Sequence, residues 1–305
     1  MVLKVNFISF SGPALASHRM RVLEPSNILN CCVKNLKVKV TDILDDSADV
    51  YVFFKHFNQD KVLEFCRATG KPIIFDVCDN HFNKEHKEFY LEMLGLADVV
   101  TCNTDRMKTE ISKYTDTEIV VIPDPITFPY NPFESSSNSL KFIWYGHSSN
   151  VKPLFGWLDS LPIERLTAVC NNPIVHPKIE YIPWKPLQVE RMIKHFDVVL
   201  LPTSKEPWTD TKSPNRAVDA LHAGKLVITD NPKIYGCLKD YIEIIKEPSE
   251  IADIVYKYAD NPDYFRKRIE NGQEYVKTNY GSQNVLDSWL YALGCTGLVK
   301  EIKNV

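Results

Sequence analysis

Lys212-Ser213-Pro214-Asn215-Arg216 follows a polar loop and opens an alanine-rich stretch, and its residue types suit an anion. Ser213 is a good helix N-cap, and Pro214 fits the first helical position. The first amides of such a helix have no partner within it, and the helix dipole places positive charge at the same end. Lys212 and Arg216 would add two cations beside those amides, a set that fits a diphosphate. The same five residues also describe a well-capped surface helix with two solvated cations, so the run alone does not decide between them.

The elements that would carry this turn come from the hydrophobic pattern. Val2–Phe10, Leu36–Val40, Val50–Phe54, Pro72–Val77, Val99–Cys102 and Glu118–Ile122 read as strands, with helices over Ser17–Leu29, Asp60–Thr69, Lys84–Leu94 and Asp105–Lys113. Strands at this spacing, with helices between them, imply parallel pairing through right-handed crossovers. Residues 123–138 hold four prolines and a serine run and mark a linker. The scheme then repeats, with strands at Leu140–Tyr145, Leu166–Cys170, Ile179–Ile182, Asp197–Leu201, Leu226–Thr229 and Ile242–Ile245. Helices are expected at Leu187–His195, Asn215–Ala223, Glu250–Ala259, Pro262–Thr278 and Gln283–Leu293.

The expected fold class is therefore α/β, with two Rossmann-like, doubly wound parallel-sheet domains facing a cleft. Residues 1–135 would form the first domain, 136–282 the second, and 283–305 a C-terminal helix crossing back to the first. Such sheets take ligands at the carboxyl ends of their strands. The 305-residue length suits two cores, and 44% hydrophobic with 25% charged residues is an ordinary globular composition. A net charge of −3 gives no general reason to expect nucleic acid or an anionic membrane as partner. The eight cysteines form no CxxC pair, which points to a reducing cytoplasm. No signal peptide and no uncharged run of membrane-spanning length is evident, so any membrane contact would be peripheral.

In this frame the motifs fall into a recognisable order. Asp197-Val198-Val199-Leu200-Leu201-Pro202, then Lys212-Ser213-Pro214-Asn215-Arg216, then Ala220-Leu221-His222-Ala223-Gly224-Lys225-Leu226-Val227-Ile228 resembles the donor-binding segment of GT-B glycosyltransferases, nearest to family 4-type enzymes. The resemblance implies that the helix-start amides and Arg216 bind a diphosphate, and that Asp219 bonds the ribose hydroxyls. A carboxylate can accept two hydrogen bonds from a diol. Thr211 stands where the family usually has glutamate, with Asp210 beside it as the candidate catalytic carboxylate. Phe142-Ile143-Trp144-Tyr145-Gly146-His147, followed by Lys152, resembles the strand and glycine loop that open the donor domain; there His147 replaces an arginine while Lys152 keeps its place.

The first half resembles the acceptor side of the same enzymes. Ser11-Gly12-Pro13, followed by Ser17-His18-Arg19-Met20-Arg21-Val22, is similar to their "S-x-R-x-R" opening, which implies that Gly12 and Ser17 line the loop. Arg19 or Arg21 could then meet an anionic acceptor or the donor's phosphates; surface-helix arginines are the plain alternative. Asp79, at the end of the strand Pro72–Val77, is the candidate for an acceptor-orienting or general-base carboxylate. Asp76 reads as a loop brace, and Cys78 occupies a position where relatives often have histidine. Ala97–Thr104 and Val121–Pro125 resemble the segments that close the acceptor domain.

The resemblance implies transfer of a sugar from a UDP- or GDP-linked donor to an acceptor hydroxyl, with no cofactor and no metal, and favours retention of configuration. A surface glycan or lipid-linked saccharide made at the inner face of a membrane is the expected acceptor. Two other readings stand beside it: a phage or viral transferase acting on a modified base in DNA, working in host cytoplasm, and a non-catalytic nucleotide- or glycan-binding module on the same scaffold. No P-loop, no G-x-G-x-x-G after the first strand, no G-x-S-x-G elbow and no H-E-x-x-H occurs in the sequence. Asp45, Asp46 and Asp49 read as a solvated loop. Trp144, Trp157, Trp184 and Trp208 could stack on a base or sugar, Trp208 being the one closest in sequence to the phosphate turn.

Overall fold

The computed structural model describes residues 2–55, 59–83, 85–134 and 140–297. The chain divides into two units: Met1–Pro125 with Thr211–Ser213 and Tyr280–Val305, and Ile126–Asp210 with Pro214–Asn279. The domain boundary expected near residue 135 lies outside the described residues.

Six short apolar runs build the sheet of the first unit: β1 (Leu3–Ile8), β2 (Leu36–Thr41), β3 (Val50–Phe54), β4 (Ile73–Val77), β5 (Val99–Cys102) and β6 (Ile119–Val121). They pair in parallel in the order β2-β1-β3-β4-β5-β6. β3 and β4 are buried throughout, which is why they read as continuous apolar runs and not as alternating ones. Phe7, Val52 and Ile74 turn to one face, where they pack with Val22, Leu29 and the C-terminal helix Ser282–Cys295 through Val285, Trp289 and Leu293. Phe53, Phe75 and Val100 turn to the other, with Val62, Phe89 and Met107. Because β1 lies between β2 and β3, the winding direction reverses at β1 and β3, and ligands gather at such a reversal.

The helix expected over Ser17–Leu29 has a feature that its periodicity did not suggest. It runs as Ala16–His18, a π-helical stretch Arg19–Leu23, and Glu24–Cys32. Pro25 lacks a backbone N–H, and in an α-helix its ring would strike the carbonyl four residues earlier, that of Arg21. The wider turn accommodates it: Glu24 N donates to Arg19 O, five residues back. Arg21 lies within this stretch and is buried.

The second unit repeats the plan with β7 (Phe142–Tyr145), β8 (Leu166–Cys170), β9 (Ile179–Pro183), β10 (Val198–Leu201), β11 (Leu226–Thr229) and β12 (Glu243–Ile244). Its order is β12-β11-β10-β7-β8-β9, again all parallel, with the reversal at β7 and β10. Helix Asn215–His222 follows β10 and buries Ala217, Val218, Ala220 and Leu221. The helices Glu250–Asp260 and Pro262–Tyr280 add Ile251, Val255, Phe265 and Ile269 to the core formed by Trp144, Ala168 and Leu200. The structure also contains short helices at Lys152–Phe155 and Pro232–Tyr235, too brief to leave a periodic signal. Among the described residues, no helix is long and apolar enough to cross a membrane.

Candidate functional site

The carboxyl ends of β1, β3 and β4 bring a polar group together in the first unit. Lys55 directly follows β3, and its ammonium donates to Ser17 Oγ at 3.1 Å and forms an ion pair with Asp79, two residues beyond β4. Ser9 Oγ and the buried His18 Nδ1 share a hydrogen bond of 2.9 Å. Burial pushes Asp79 up, but Lys55 above all, with Lys212 and His81, brings it below the usual carboxylate range. Lys212 belongs to the Thr211–Ser213 segment that clusters with this unit, where Thr104 Oγ1 also donates to Thr211 O at 3.0 Å. Ser213 Oγ is buried there with no hydrogen-bond partner among the described residues.

Two of the expected ligand-facing arginines serve the scaffold. Arg21 is 1% exposed, its guanidinium bonds both carboxylate oxygens of Asp76, and it also reaches Asp124 Oδ1 at 3.2 Å and the carbonyl of Ile122. It ties its helix to β4 and to the chain leaving β6, so the sequence-based placement at an acceptor gives way to a structural one. Asp76 braces the same cluster. Arg19 donates to the carbonyls of Pro13 (2.8 Å) and Ala14 (3.3 Å), holding the loop that contains the exposed Gly12.

In the second unit the turn after β10 differs in detail from the expected cap. The 3-10 turn Pro207–Thr211 precedes it, and the N-cap position is taken by Pro214, not Ser213. Asn215 Oδ1 accepts from Arg216 N at 2.9 Å. Arg216 turns toward β7: its Nη1 donates to the carbonyl of Tyr145 at 3.2 Å, the Tyr235 hydroxyl lies beside its guanidinium, and Tyr145 Oη donates back to the carbonyl of Arg216 at 2.8 Å. A side chain at Gly146 would bring its Cβ within 3.2 Å of Arg216 Nη1 and 3.4 Å of Trp144, so glycine is what lets the guanidinium lie over the end of β7. Both partners of Arg216 are neutral, and no carboxylate pairs with it among the described residues.

His147 lies on the exposed loop after Gly146, and the exposed Lys152 opens the short helix that follows. His147 Nδ1 caps the turn Ser148–Asn150, accepting from Ser149 N, and Lys152 makes no hydrogen bond or ion pair among the described residues. Asp210 pairs with Lys233. Trp208, half-buried, donates its indole N–H to Glu206.

Asp219 departs most from expectation. It is 3% exposed, and its carboxylate accepts from Thr127 N (2.7 Å), Thr127 Oγ1 (2.8 Å) and Phe128 N (3.3 Å). Burial raises it to about 7 against those three donors. The residues around it hold the same segment: His222 Nδ1 donates to Phe128 O at 2.8 Å, and Gln273 Nε2 donates to Asn131 O at 2.7 Å. Gly224, at φ +71°, runs so close to the carbonyls of Asn131 and Pro132 that a Cβ would lie 2.7 and 2.9 Å from them. Asp219 therefore fastens the proline-rich segment to its own helix, and both its oxygens are occupied.

No family model and no curated protein matches the sequence. Solved structures do match it. Anabaena Alr3699/HepE in complex with UDP aligns with 96% of this chain and 100% of its own at 12% identity and a TM-score of 0.70. A glycosyltransferase from Rickettsia africae aligns with 98% of this chain and 99% of its own at 12% identity and 0.71. The fold is GT-B. The lipopolysaccharide outer core galactosyltransferase WaaB follows at 14% identity, with 96% and 99% of the two chains aligned and a TM-score of 0.61. At such identities the likeness is one of fold.

Sequence reasoning within this GT-B chain missed Lys55, Tyr145 and Tyr235. Lys55 had a usable signal: it is the first polar residue after an apolar strand, at the end where doubly wound sheets take ligands. Tyr145 and Tyr235 had none, because each looks like an ordinary buried aromatic until Arg216 is placed beside it.

Proposed function

We propose that this chain is a glycosyltransferase that moves a sugar from a nucleotide diphosphate sugar, UDP- or GDP-linked, to an acceptor hydroxyl. The observation that carries this is Arg216. Its guanidinium is oriented by Tyr145 and Tyr235 over the glycine that ends β7, at the winding reversal of the second sheet, and no carboxylate among the described residues neutralises it. An oriented, uncompensated guanidinium suits the oxygens of a phosphate, which it can meet with two parallel donors. Asn215, at the start of the same helix, adds to the set, and Lys212 and Ser213, whose hydroxyl has no partner among the described residues, precede it in the turn. His147 on the loop after Gly146 and Lys152 at the start of the next short helix supply further donors.

As the bond between the sugar and the diphosphate breaks, negative charge grows on the departing phosphate, and Arg216, Lys212 and Lys152 stabilise it. Asp79 accepts the hydrogen bond of the attacking hydroxyl. Asp210, which pairs with Lys233 beside the phosphate turn, is our candidate for the carboxylate that contacts the donor sugar. Asp219 holds the segment around Thr127 in place of the ribose role, so ribose contacts fall to other groups. HepE, solved with UDP and with UDP-glucose, supports a uridine donor, and WaaB supports a glycan acceptor. The acceptor we favour is a surface glycan or lipid-linked saccharide built at the cytoplasmic face of a membrane.

The test is a donor screen of the full chain with UDP-glucose, UDP-N-acetylglucosamine, GDP-mannose and CDP-glucose, reading thermal stabilisation and release of free nucleotide. Stabilisation by at least one donor, with slow nucleotide release, is expected. No stabilisation and no release with any of them would sink the reading.

A further inference from the structure

Lys55 is held in a conformation that costs free energy. Its φ of 37° lies in the left-handed region, which a residue with a Cβ adopts at a cost and keeps only when its surroundings over-determine it. The surroundings here are specific. Lys55 follows β3 at the winding reversal of the first sheet, its ammonium donates to Ser17 Oγ, pairs with Asp79 and lies 5.9 Å from the ring centre of Phe54. Its side chain is 17% exposed and that of Asp79 33%. An ordinary surface pair would be fully solvated and unstrained, whereas the Arg21–Asp76 pair is 1% exposed on both sides and closed to any ligand. The Lys55–Asp79 pair is poor enough in water to be strongly coupled and open enough for a hydroxyl to reach the carboxylate.

We infer that Lys55 is a positioning residue of the acceptor half-site, which fixes Asp79 as an ionised, aimed acceptor for the incoming hydroxyl. The inference rests on the transferase reading above. An ammonium carries three donors, and Asp79 and Ser17 take two of them, so the carboxylate is held from one side while its remaining lone pairs stay available. Among the described residues, the charged and titratable groups that face Asp79 bear on this. Lys55 approaches from the end of β3 and Lys212 from the Thr211–Ser213 segment; His81 and Cys78 flank it on its own loop, and Tyr90 faces it from the helix Lys87–Leu96. Burial opposes the charge on Asp79, and Lys55 is the first of the groups that restore it. Without Lys55 the carboxyl would take up a proton at higher pH and stop accepting.

The experiment follows the Asp79 carboxyl carbon by NMR in full-length protein labelled at aspartate, assigned by its loss in Asp79→Asn, alongside the pH profile of UDP-glucose turnover. In the wild type Asp79 should titrate below the ordinary carboxylate range. In Lys55→Met it should titrate above that range, and the acid limb of turnover should move up by about one pH unit or more. Lys55→Arg should return both, and KM for UDP-glucose should change less than twofold throughout. Lys55→Gln gives the same readouts if the methionine variant does not fold. An Asp79 titration that does not move in a folded Lys55 variant overturns the inference, as does an acid limb that stays in place while the titration moves. Absence of turnover by the wild type with every donor in the screen overturns the transferase reading instead, and this role with it.

Discussion

Arg21 in the first unit and Arg216 in the second both sit near the start of a helix, and in sequence both look like cations offered to a phosphate. Their surroundings differ in one respect. Arg21 is enclosed by two carboxylates and a carbonyl, so its charge is cancelled inside the unit. Arg216 is held by a carbonyl, with a phenol hydroxyl beside it, and these orient the guanidinium without neutralising it. A buried arginine met by carboxylates is part of the scaffold; one met by neutral acceptors keeps its charge for a ligand. The carboxylates divide the same way: Asp219 is buried and fully engaged by Thr127 and Phe128, while Asp79 is held from one side by Lys55 and half open on the other.

The largest effect that would break this contrast concerns Arg21. Arg21→Met leaves Asp76 and Asp124 buried without their partner, and a loss of about 3–5 kcal/mol is expected in urea unfolding. Arg216→Met leaves no buried charge behind, and its stability should fall by less than about 1 kcal/mol. Equal losses in the two variants would remove the distinction.

Asp219 provides the next test. Its unfolded carboxyl titrates near ~3.9 and its folded one near about 7, so between those values the native state binds more protons than the unfolded chain. Its contribution to stability is therefore lost as pH rises through that window. Asp79, with its lowered folded value, acts in the opposite sense: its contribution is present above the ordinary carboxylate pKa and lost as pH falls through the folded one. In Asp219→Asn the amide oxygen still accepts from Thr127 N and Phe128 N, so the fold should persist while the slope disappears. Relative to this variant, the wild type should lose about 2 kcal/mol between pH 5 and pH 8 in denaturant titrations. A parallel pH dependence of the two proteins would refute a protonated Asp219.

The smallest effect sharpens the donor side. Gly146→Ala places a methyl 3.2 Å from Arg216 Nη1, so the guanidinium must shift by a few tenths of an ångström. A threefold to tenfold weakening of UDP binding, about 1 kcal/mol, is expected with little change in the melting temperature. Unchanged affinity would mean that the position of Arg216 over Gly146 is immaterial.

The strands were legible because parallel sheets covered on both faces require runs of apolar residues, and Val50–Phe54 or Val99–Cys102 can be little else. The long helices were legible from their period, and the order of the motifs pointed to the fold. What stayed hidden depends on contacts distant in sequence. Nothing around Arg21 announces that Asp76 and Asp124, 55 and 103 residues away, will close on it. Nothing around Asp219 announces Thr127, 92 residues earlier. Local rules also misjudged the turn at Ser213: its hydroxyl is a good cap by type, yet Pro214 takes the position and leaves Ser213 Oγ buried, with no partner among the described residues. Residue type indicates what a side chain can do, and the neighbours brought by the fold decide which of those things it does.

The central claim, that Arg216 keeps its charge for a nucleotide diphosphate, is tested most directly by calorimetric titration of UDP and GDP into the full chain and into Arg216→Met. The account predicts that the wild type binds one of the two, and that the folded variant binds it about tenfold to a hundredfold more weakly, the loss of one or two charge-assisted hydrogen bonds. Binding that is equally tight in the variant, or absent from the wild type for both nucleotides, would contradict it.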